Sequence, residues 1–309
     1  MAELPFRTQV PSRSPDAGPR SLALALLSLA RPRQWIKNLL LYAALVFAER
    51  LFDATALALA TLGFATFCLA SSSVYLINDV IDAERDRLHP DKRRRPIAAG
   101  DVSEAAAALL AGLLTAASLA LSFWIAPGFG FSVVTYLALS HFYTLVGKNI
   151  VILDVMLIAS GFVIRAVAGA LAIGVPSSDW FILCTLFLAM FLALSKRKAE
   201  ILALEDGASR HRPVLGLYTA PALSAFTDTS MAALLISYAL YVLNVHRGAA
   251  VPLALTVPFV LFGVFRYYLL VETAQLGEKP EEVLLRDRPL QVCLLGFTAV
   301  AVAALYLSR

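Results

Sequence analysis

Long stretches without any charged residue are the feature that most constrains how this chain can fold. Residues 54–78 contain no charged side chain, and neither does the stretch 105–140, which Pro127 and Gly128 divide into two parts. The hydrocarbon core of a bilayer is about 30 Å thick, and roughly 20 helical residues cross it. These stretches therefore have the length and the apolar character of membrane-spanning helices.

Taken along the whole chain, the apolar stretches predict nine membrane-spanning helices. Lipid cannot satisfy an unpaired backbone, and the ten-residue alternation typical of barrel strands does not occur in the sequence. We therefore predict an all-α, polytopic membrane protein whose nine transmembrane helices form one bundle. The predicted spans are 36–52, 54–78, 105–140 in two parts, 150–174, 180–195, 229–245, 248–265 and 289–308.

The overall composition agrees with this class. Of the 309 residues, 59% are hydrophobic and 16% are charged, whereas a soluble domain is about half apolar and about a quarter charged. This excess excludes an ordinary soluble enzyme. Cys68, Cys184 and Cys293 all lie in apolar runs, so we interpret them as core residues and not as metal ligands or disulfide partners.

Basic residues predict the orientation of the bundle. Of the 26 Lys and Arg residues, 22 lie in the N-terminal arm and in alternate loops, whereas Arg50, Arg247 and Arg309 lie on the opposite side. Loops rich in Lys and Arg face the cytoplasm. We expect a multi-pass protein of the plasma (inner) membrane with its N-terminus and site in the cytoplasm and its C-terminus outside. A flexible arm at 1–30 precedes a single transmembrane domain at 31–309.

The second predicted helix ends in a run of acidic residues. On a helix, Asn78, Asp82 and Asp86 lie at i, i+4 and i+8 and therefore form one stripe, with Asp79 beside it. Carboxylates one turn apart repel each other unless a cation lies among them, and Mg²⁺ prefers such oxygen ligands. The alternative to a metal site is an acidic helix end that is simply solvated. Acids at a helix C-terminus, however, oppose the helix macrodipole and therefore need a compensating cation. The pattern predicts that Asn78, Asp79, Asp82 and Asp86 bind Mg²⁺.

Basic residues occur on the same predicted side of the membrane. The run 92–95 is typical of a topogenic segment attracted to anionic lipid, but we favour Arg95 as a phosphate ligand. Taken one at a time, the residues of the other basic stretches are more typical of interfacial anchors or helix-surface pairs than of ligands. Together they predict a cationic cluster at the mouth of the bundle. Predicted substrate-binding residues are Arg33, Asn38, Arg95, Tyr143, Lys148, Asp154, Lys196, Arg197, Lys198 and Glu200; Lys37, Asp79, Asp82 and Asp86 are predicted to act in catalysis.

One predicted span carries two ionisable residues. Asp154 and Arg165 lie eleven residues apart on one helix face, with about 16 Å of rise between them, so they cannot pair directly. Arg165 has either a functional or a helix-tying role, and we favour the second. Asp154 is close to the cytoplasmic end and is expected to join the polar site. Gly161 and Gly169 on the same helix predict close helix packing.

Five motifs together resemble the UbiA superfamily of intramembrane prenyltransferases. They are RPRQWIKN, NDVIDAERD, RRRPIAAG, YTLVGK and GFVIRAVAG, and the resemblance covers nearly the whole chain after residue 30. It implies a nine-helix bundle around a central cavity that opens sideways to lipid. It also implies that Mg²⁺ and a diphosphate are held at the cytoplasmic end.

The segment SKRKAE at 195–200 departs from the aromatic prenyltransferases of this superfamily, which carry a second aspartate-rich motif there. Two acidic motifs suit one prenyl diphosphate, whereas one acidic motif facing Lys and Arg suits two phosphorylated ligands. The resemblance therefore implies the branch that transfers 5-phosphoribosyl from phosphoribosyl pyrophosphate to polyprenyl (decaprenyl) phosphate. That reaction releases diphosphate and leads to cell-wall arabinose donors.

Two other functions remain open from the sequence. One is a prenyltransferase that joins prenyl diphosphate to an aromatic or other small acceptor. The other is a transporter or channel, suggested by Asp154 and Arg165, although the helices show no internal repeat. Expected partners are phosphoribosyl pyrophosphate, a polyprenyl phosphate lipid and the bilayer, with no nucleic acid. The many small residues are compatible with a homo-oligomer.

Overall fold

The computed structural model describes residues 22–88, 92–204, 216–244, 252–274, 283 and 286–307. Its regular elements are helical, and these residues include no β-strand, so the predicted all-α class is confirmed. The α-helices are α1 (Leu22–Ala30), α2 (Ala43–Phe47), α3 (Ala54–Ile81), α4 (Ala83–Leu88), α5 (Glu104–Ile125), α6 (Pro127–Leu145), α7 (Leu153–Ala172), α8 (Asp179–Leu204), α9 (Ala220–Asn244), α10 (Val257–Ala274) and α11 (Arg288–Val302). Short 3-10 segments occur at Pro32–Tyr42, Lys92–Arg94, Gly147–Asn149 and Leu253–Thr256.

Within the described residues, seven helical segments are long and apolar enough to cross a membrane. They are Ala54–Ile81, Glu104–Ile125, Leu153–Ala172, Asp179–Ile201, Ala220–Asn244, Leu253–Thr273 and Arg288–Tyr306. The chain is therefore a multi-pass membrane protein.

Two predicted spans are not among these seven segments. The span 36–52 is a 3-10 segment followed by the five-residue helix α2. The second half of 105–140 is α6, which has 19 residues and contains several polar side chains. A count of nine crossings stays a prediction.

Side-chain caps explain why two of the spanning helices begin where they do. The Asp53 carboxylate accepts the backbone N–H groups of Thr55 and Ala56 at 3.0 and 3.1 Å, which starts α3. The N–H of Ala56, followed by Arg50, holds the pKa of this carboxyl below its usual range. Ser103 caps α5 in the same way. Each cap satisfies donors that a helix N-terminus leaves without partners.

Residues 22–30, the last part of the predicted arm at 1–30, are helical, and the division into an arm and a domain stays a prediction. These residues form α1, and Ala25 and Leu29 are buried in a cluster that includes Leu76 and Ile97. The segment is uncharged and mostly apolar, so packing against α3 removes hydrophobic surface from water. Residues 1–21 lie outside the described part of the chain.

Close packing around α7 holds the bundle together near the site. A Cβ atom added at Gly169 would lie 2.2 Å from the carbonyl oxygen of Leu41, so only glycine lets the 3-10 segment approach this helix. This confirms the close packing predicted at Gly169. The three cysteines are free, with Cys68 and Cys293 buried and Cys184 half-buried, as expected for residues that serve packing.

Arg165 ties three elements together inside the bundle. Its Nε donates to Asn38 Oδ1 at 2.8 Å, Nη1 to the Gly161 carbonyl at 2.8 Å, and Nη2 to the Tyr136 hydroxyl at 3.0 Å. The Asn38 amide nitrogen in turn donates to Ser71 Oγ at 3.3 Å. These contacts support the structural role favoured for Arg165. Both the oxygen and the nitrogen of the Asn38 side-chain amide are therefore hydrogen-bonded within the protein. The predicted contact of Asn38 with substrate stays a prediction, and this geometry does not support it.

Candidate active site

Four helix ends meet at one end of the bundle. They are the C-terminal ends of α3, α6 and α8 and the N-terminal end of α7. Most of the residues predicted to form the site lie on these ends. The arrangement follows from the helix packing, in which α7 contacts both α6 and α8 while α3 contacts α6 and α7.

The acidic run does not form the single stripe predicted from the sequence. Helix α3 ends at Ile81, and Asp82 has φ −91° and ψ 3°, outside regular helix geometry, before α4 begins at Ala83. Asp79 and Asp86, seven residues apart, share one face and both contact Arg95, whereas Asn78 and Asp82, four apart, face Thr144 and Lys148 at the end of α6. The predicted grouping of Asn78, Asp82 and Asp86 is therefore corrected, because Asp86 pairs with Asp79.

Asp79 and Asp86 converge on one cation. Nη1 of Arg95 lies 2.9 Å from Asp79 Oδ1 and 2.6 Å from Asp86 Oδ2. Arg31 Nη2 also donates to Asp79 Oδ1. Each aspartate is only 3% exposed, and buried carboxylates need such partners because removal from water disfavours their charged form. Asp79 and Asp86 therefore form a paired anionic centre.

Arg31 is a site residue that the sequence reasoning missed. It lies in the same motif as Arg33 and Lys37, but Arg33 is exposed and Lys37 is half-buried. Arg31 has positive φ (50°) immediately before the 3-10 segment, and its guanidinium lies 4.9 Å from the Tyr75 ring centre. The motif RPRQWIKN predicts a cation at this place, but its sequence does not show which of its basic residues turns toward α3.

Asn78 and Asp82 lie beside a polar cavity of about 610 Å³. Asn78 Oδ1 accepts a hydrogen bond from Thr144 Oγ1 at 2.8 Å, and Lys148 Nζ lies 3.7 Å from Asp82 Oδ1. Thr144 was not predicted from the sequence. The cavity is lined by Ile81, Asp82, Glu84, Arg85, Thr144, Leu145, Lys148 and Asn149.

The residues of the paired centre fit a divalent cation. In the described part of the chain, no group of three or more His, Cys, Asp and Glu side chains is gathered as a metal site. Mg²⁺, however, usually takes one or two carboxylates and completes its shell with water and phosphate. Asp79 and Asp86 match that requirement because both already approach one positive charge.

A second buried charge cluster joins α7 to α8. Asp154 is fully buried, and its Oδ2 accepts from Arg197 Nε at 2.9 Å. Arg197 also donates to Glu200, and the Tyr218 hydroxyl donates to Asp154 Oδ1 at 2.7 Å. Arg197 therefore holds two carboxylates, and its charge is compensated within the protein.

The basic residues of the SKRKAE segment do not act as one surface. Lys196 Nζ lies 4.0 Å from Glu200 Oε1, and its side chain is 42% exposed. Lys198 is buried and pairs with Glu272 of α10. Successive helix residues turn by about 100°, so three in a row point in different directions. The predicted joint action of Lys196, Arg197 and Lys198 is therefore corrected: Lys196 is half-buried, whereas Arg197 and Lys198 are buried and ion-paired.

Tyr143 lies between the two clusters. It is half-buried at the end of α6 and is close enough to interact electrostatically with Arg197. Its neighbour Thr144 contacts Asn78, as described above. The end of α6 thus connects the acidic run of α3 with the Asp154 cluster, and both clusters border the same end of the bundle.

Comparisons with known proteins agree with this architecture. The sequence pattern of the UbiA prenyltransferase family matches residues 39–283. The chain is 38% identical, over 95% of its length, to decaprenyl-phosphate phosphoribosyltransferase of Mycolicibacterium smegmatis, of which 96% is covered. It is 36% identical, over 98% of its length, to the Corynebacterium glutamicum protein of that name, of which 93% is covered. A UbiA homologue from Archaeoglobus fulgidus, solved with GPP and Mg²⁺, has a similar fold, with a TM-score of 0.68, 22% identity and coverage of 91% of this chain and 96% of that chain.

Proposed function

Because the chain belongs to the UbiA prenyltransferase family, we propose that it is a membrane-bound phosphoribosyltransferase. It transfers 5-phosphoribosyl from phosphoribosyl pyrophosphate to polyprenyl (decaprenyl) phosphate and releases diphosphate. The observation that carries this proposal is the similarity, at 38% identity over 95% of the chain, to a decaprenyl-phosphate phosphoribosyltransferase. The corresponding biological role is the synthesis of cell-wall arabinose donors.

The cavity offers polar groups that suit a sugar-phosphate donor. Six of its eight lining residues are polar or charged. Lys148 and Arg85 offer cations for a phosphate, and Asp82 offers a carboxylate for ribose hydroxyls.

We assign Mg²⁺ to Asp79 and Asp86, with Asn78 and Asp82 at its border. When bound, the ion would neutralise charge on the diphosphate and make it a better leaving group. Arg31 and Arg95 already contact these carboxylates and are positioned to donate to phosphate oxygens beside them. Further donors to these oxygens are Lys37, Tyr143 and Lys148.

The reaction exchanges one bond at the ribose C1 atom. The bond from C1 to the diphosphate oxygen breaks with its electron pair, and an oxygen of the polyprenyl phosphate forms the new bond from the opposite face, which inverts the configuration. No general base is needed because the acceptor phosphate is already anionic near neutral pH. Catalysis then consists mainly of holding two mutually repelling anions in line. Lys196, the most accessible cation of the SKRKAE segment, is assigned to the acceptor.

We further propose that this site faces the cytoplasm of the plasma membrane, with the C-terminus outside. The concentration of 22 of the 26 Lys and Arg residues in the N-terminal arm and alternate loops supports this orientation. A cytoplasmic site also gives a water-soluble sugar phosphate direct access, while the isoprenoid tail stays in the bilayer.

A purified-protein assay tests the reaction. Turnover is measured as transfer of radiolabelled ribose to lipid, together with release of diphosphate, in detergent or nanodiscs. We expect both to require phosphoribosyl pyrophosphate, decaprenyl phosphate and Mg²⁺. Diphosphate release that requires a prenyl diphosphate and ignores phosphoribosyl pyrophosphate would instead identify a prenyltransferase. Solute flux through liposomes without turnover would identify a transporter.

Lys196 and Lys198 form a matched pair for testing the acceptor site. We expect Lys196→Ala to raise KM for decaprenyl phosphate by roughly 10-fold, the effect of losing one hydrogen bond to a charged group. Lys198→Ala should leave both KM values unchanged, because its partner is Glu272, and should lower only thermal stability. Steady-state kinetics of both variants decide the matter. If Lys196→Ala and Lys198→Ala changed the KM for decaprenyl phosphate equally, the assignment of Lys196 to the acceptor and of Lys198 to a structural pair would be contradicted.

A further inference from the structure

Tyr218 lies immediately before α9 and does not border the polar cavity. Its side chain is buried, packed with Val155, Leu194 and Leu223. Its hydroxyl group makes two hydrogen bonds of 2.7 Å: it donates to Asp154 Oδ1 and accepts from the backbone N–H of Ile152. A single oxygen therefore joins the segment before α9 to two points at the start of α7.

Ile152 is in a conformation that needs such support. It has φ +68° and ψ −45°, and a β-branched residue with positive φ is a true outlier. Backbone strain of this kind is unfavourable and persists only where the surroundings hold it. Ile152 directly precedes α7, and no side chain caps this helix. The Tyr218 hydroxyl thus fixes both the entry to α7 and the acid in its first turn.

The contacts continue from Asp154 to the half-buried Lys196 of α8. Asp154 accepts from Arg197, Arg197 donates to Glu200, and Glu200 lies 4.0 Å from the Lys196 ammonium. Burial, followed by the hydrogen bond to Asp154, raises the pKa of the Tyr218 hydroxyl. The hydroxyl therefore stays protonated, and remains a donor to Asp154, throughout the neutral pH range.

We infer that Tyr218 is a positioning residue for the phosphorylated acceptor. Its hydroxyl orients Asp154, and Asp154 orients Arg197 and Glu200, so that the ammonium group of Lys196 is held where the acceptor phosphate binds. Tyr218 itself touches no substrate. The inference rests on the proposed function, because it names the lipid phosphate as the ligand of Lys196.

The test uses Tyr218→Phe in the full-length protein, which keeps the buried ring and removes only the hydroxyl. We expect its KM for decaprenyl phosphate to rise about fivefold while the KM for phosphoribosyl pyrophosphate stays within twofold of wild type. Tyr238→Phe is the matched control, because it also removes a buried hydroxyl, one that is hydrogen-bonded to Thr256 at 2.6 Å away from this cluster. The control should change neither KM.

A double variant separates positioning from a general loss of stability. If Tyr218 acts through Lys196, Tyr218→Phe combined with Lys196→Ala should raise the acceptor KM no further than Lys196→Ala alone. Multiplicative effects of the two substitutions, or a lower kcat and melting temperature with unchanged KM values, would overturn the inference.

The equilibrium Kd for decaprenyl phosphate, measured in nanodiscs without donor, keeps this test separate from the proposed reaction. Absence of wild-type turnover would refute the proposed reaction. Wild-type acceptor binding that Tyr218→Phe weakens about fivefold would still support the positioning role. Equal Kd values for wild type and Tyr218→Phe, or no wild-type binding at all, would overturn it.

Discussion

Asp79→Asn is expected to lower kcat for phosphoribosyl transfer by about 10³-fold, the upper range for loss of one electrostatic contact to a reacting group. The substitution keeps the size of the side chain and removes its charge. Asp79 is the carboxylate that both Arg31 and Arg95 contact, and with Asp86 it is assigned to the metal. Turnover at saturating substrates, measured across a Mg²⁺ titration, checks the result.

Two further measurements complete this experiment: metal binding to the Asp79→Asn protein, and the same readouts in a control variant with a surface substitution. Binding of Mn²⁺ to the purified protein, followed by its electron paramagnetic resonance signal, should weaken in Asp79→Asn. Glu104→Gln removes an exposed carboxylate that pairs with Arg87 and should leave both readouts unchanged. Asp82→Ala should also abolish turnover, because it removes the carboxylate that lines the cavity and is proposed to bind the ribose hydroxyls. Mn²⁺ binding of this variant should persist. Near-normal activity of Asp79→Asn would refute the assigned metal centre.

The membrane-spanning character of the chain could be predicted from the sequence because lipid leaves few alternatives. An uncharged stretch of some 20 residues must be helical if it crosses the bilayer, and 54–78 accordingly lies within α3. The 3-10 segment Pro32–Tyr42 is different, since it contains charged and amide residues and is held by tertiary contacts such as Asn38 to Arg165. Such contacts have no periodic signal in the sequence.

The chemistry of the acidic run was predictable, but its geometry was not. Residue types and spacing indicate a cation site at 78–86, and the structure gathers carboxylates there. Asp79 and Asp86 pair through Arg95, whereas Asp82 lies near Lys148. Both partners come from other segments of the chain, so helix periodicity alone does not select between the two groupings. Local patterns therefore identify candidate ligands better than they group them.

Thr144 and Tyr218, which act through distant partners, escaped the sequence reasoning. Thr144 contacts a residue 66 positions earlier in the chain, and Tyr218 contacts one 64 positions earlier. Neither residue type is unusual in its surroundings. Their roles follow only from helix packing, which brings together segments that the sequence separates.

Arg165→Ala is expected to destabilise the folded protein by about 3 kcal/mol, because it leaves buried polar groups without partners, each costing about 1–3 kcal/mol. The Asn38 side-chain oxygen and the Tyr136 hydroxyl lose a donor, whereas the Gly161 carbonyl keeps its backbone hydrogen bond within α7. Arg165→Lys should rescue little, since an ammonium group lacks the planar fork that reaches three partners. Thermal unfolding of the purified protein, followed by intrinsic fluorescence, measures both variants.

The same variants separate a structural Arg165 from a functional one. If Arg165 only ties the 3-10 segment, α6 and α7 together, the fraction of Arg165→Ala that remains folded at low temperature should turn over with nearly wild-type KM values. Arg94→Ala, which removes an exposed basic residue, should change neither stability nor kinetics. A stable Arg165→Ala protein without activity would contradict the structural role. It would place this buried cation in the reaction or in a transport path, as expected of an ionisable residue within a membrane when no helix-tying role accounts for it.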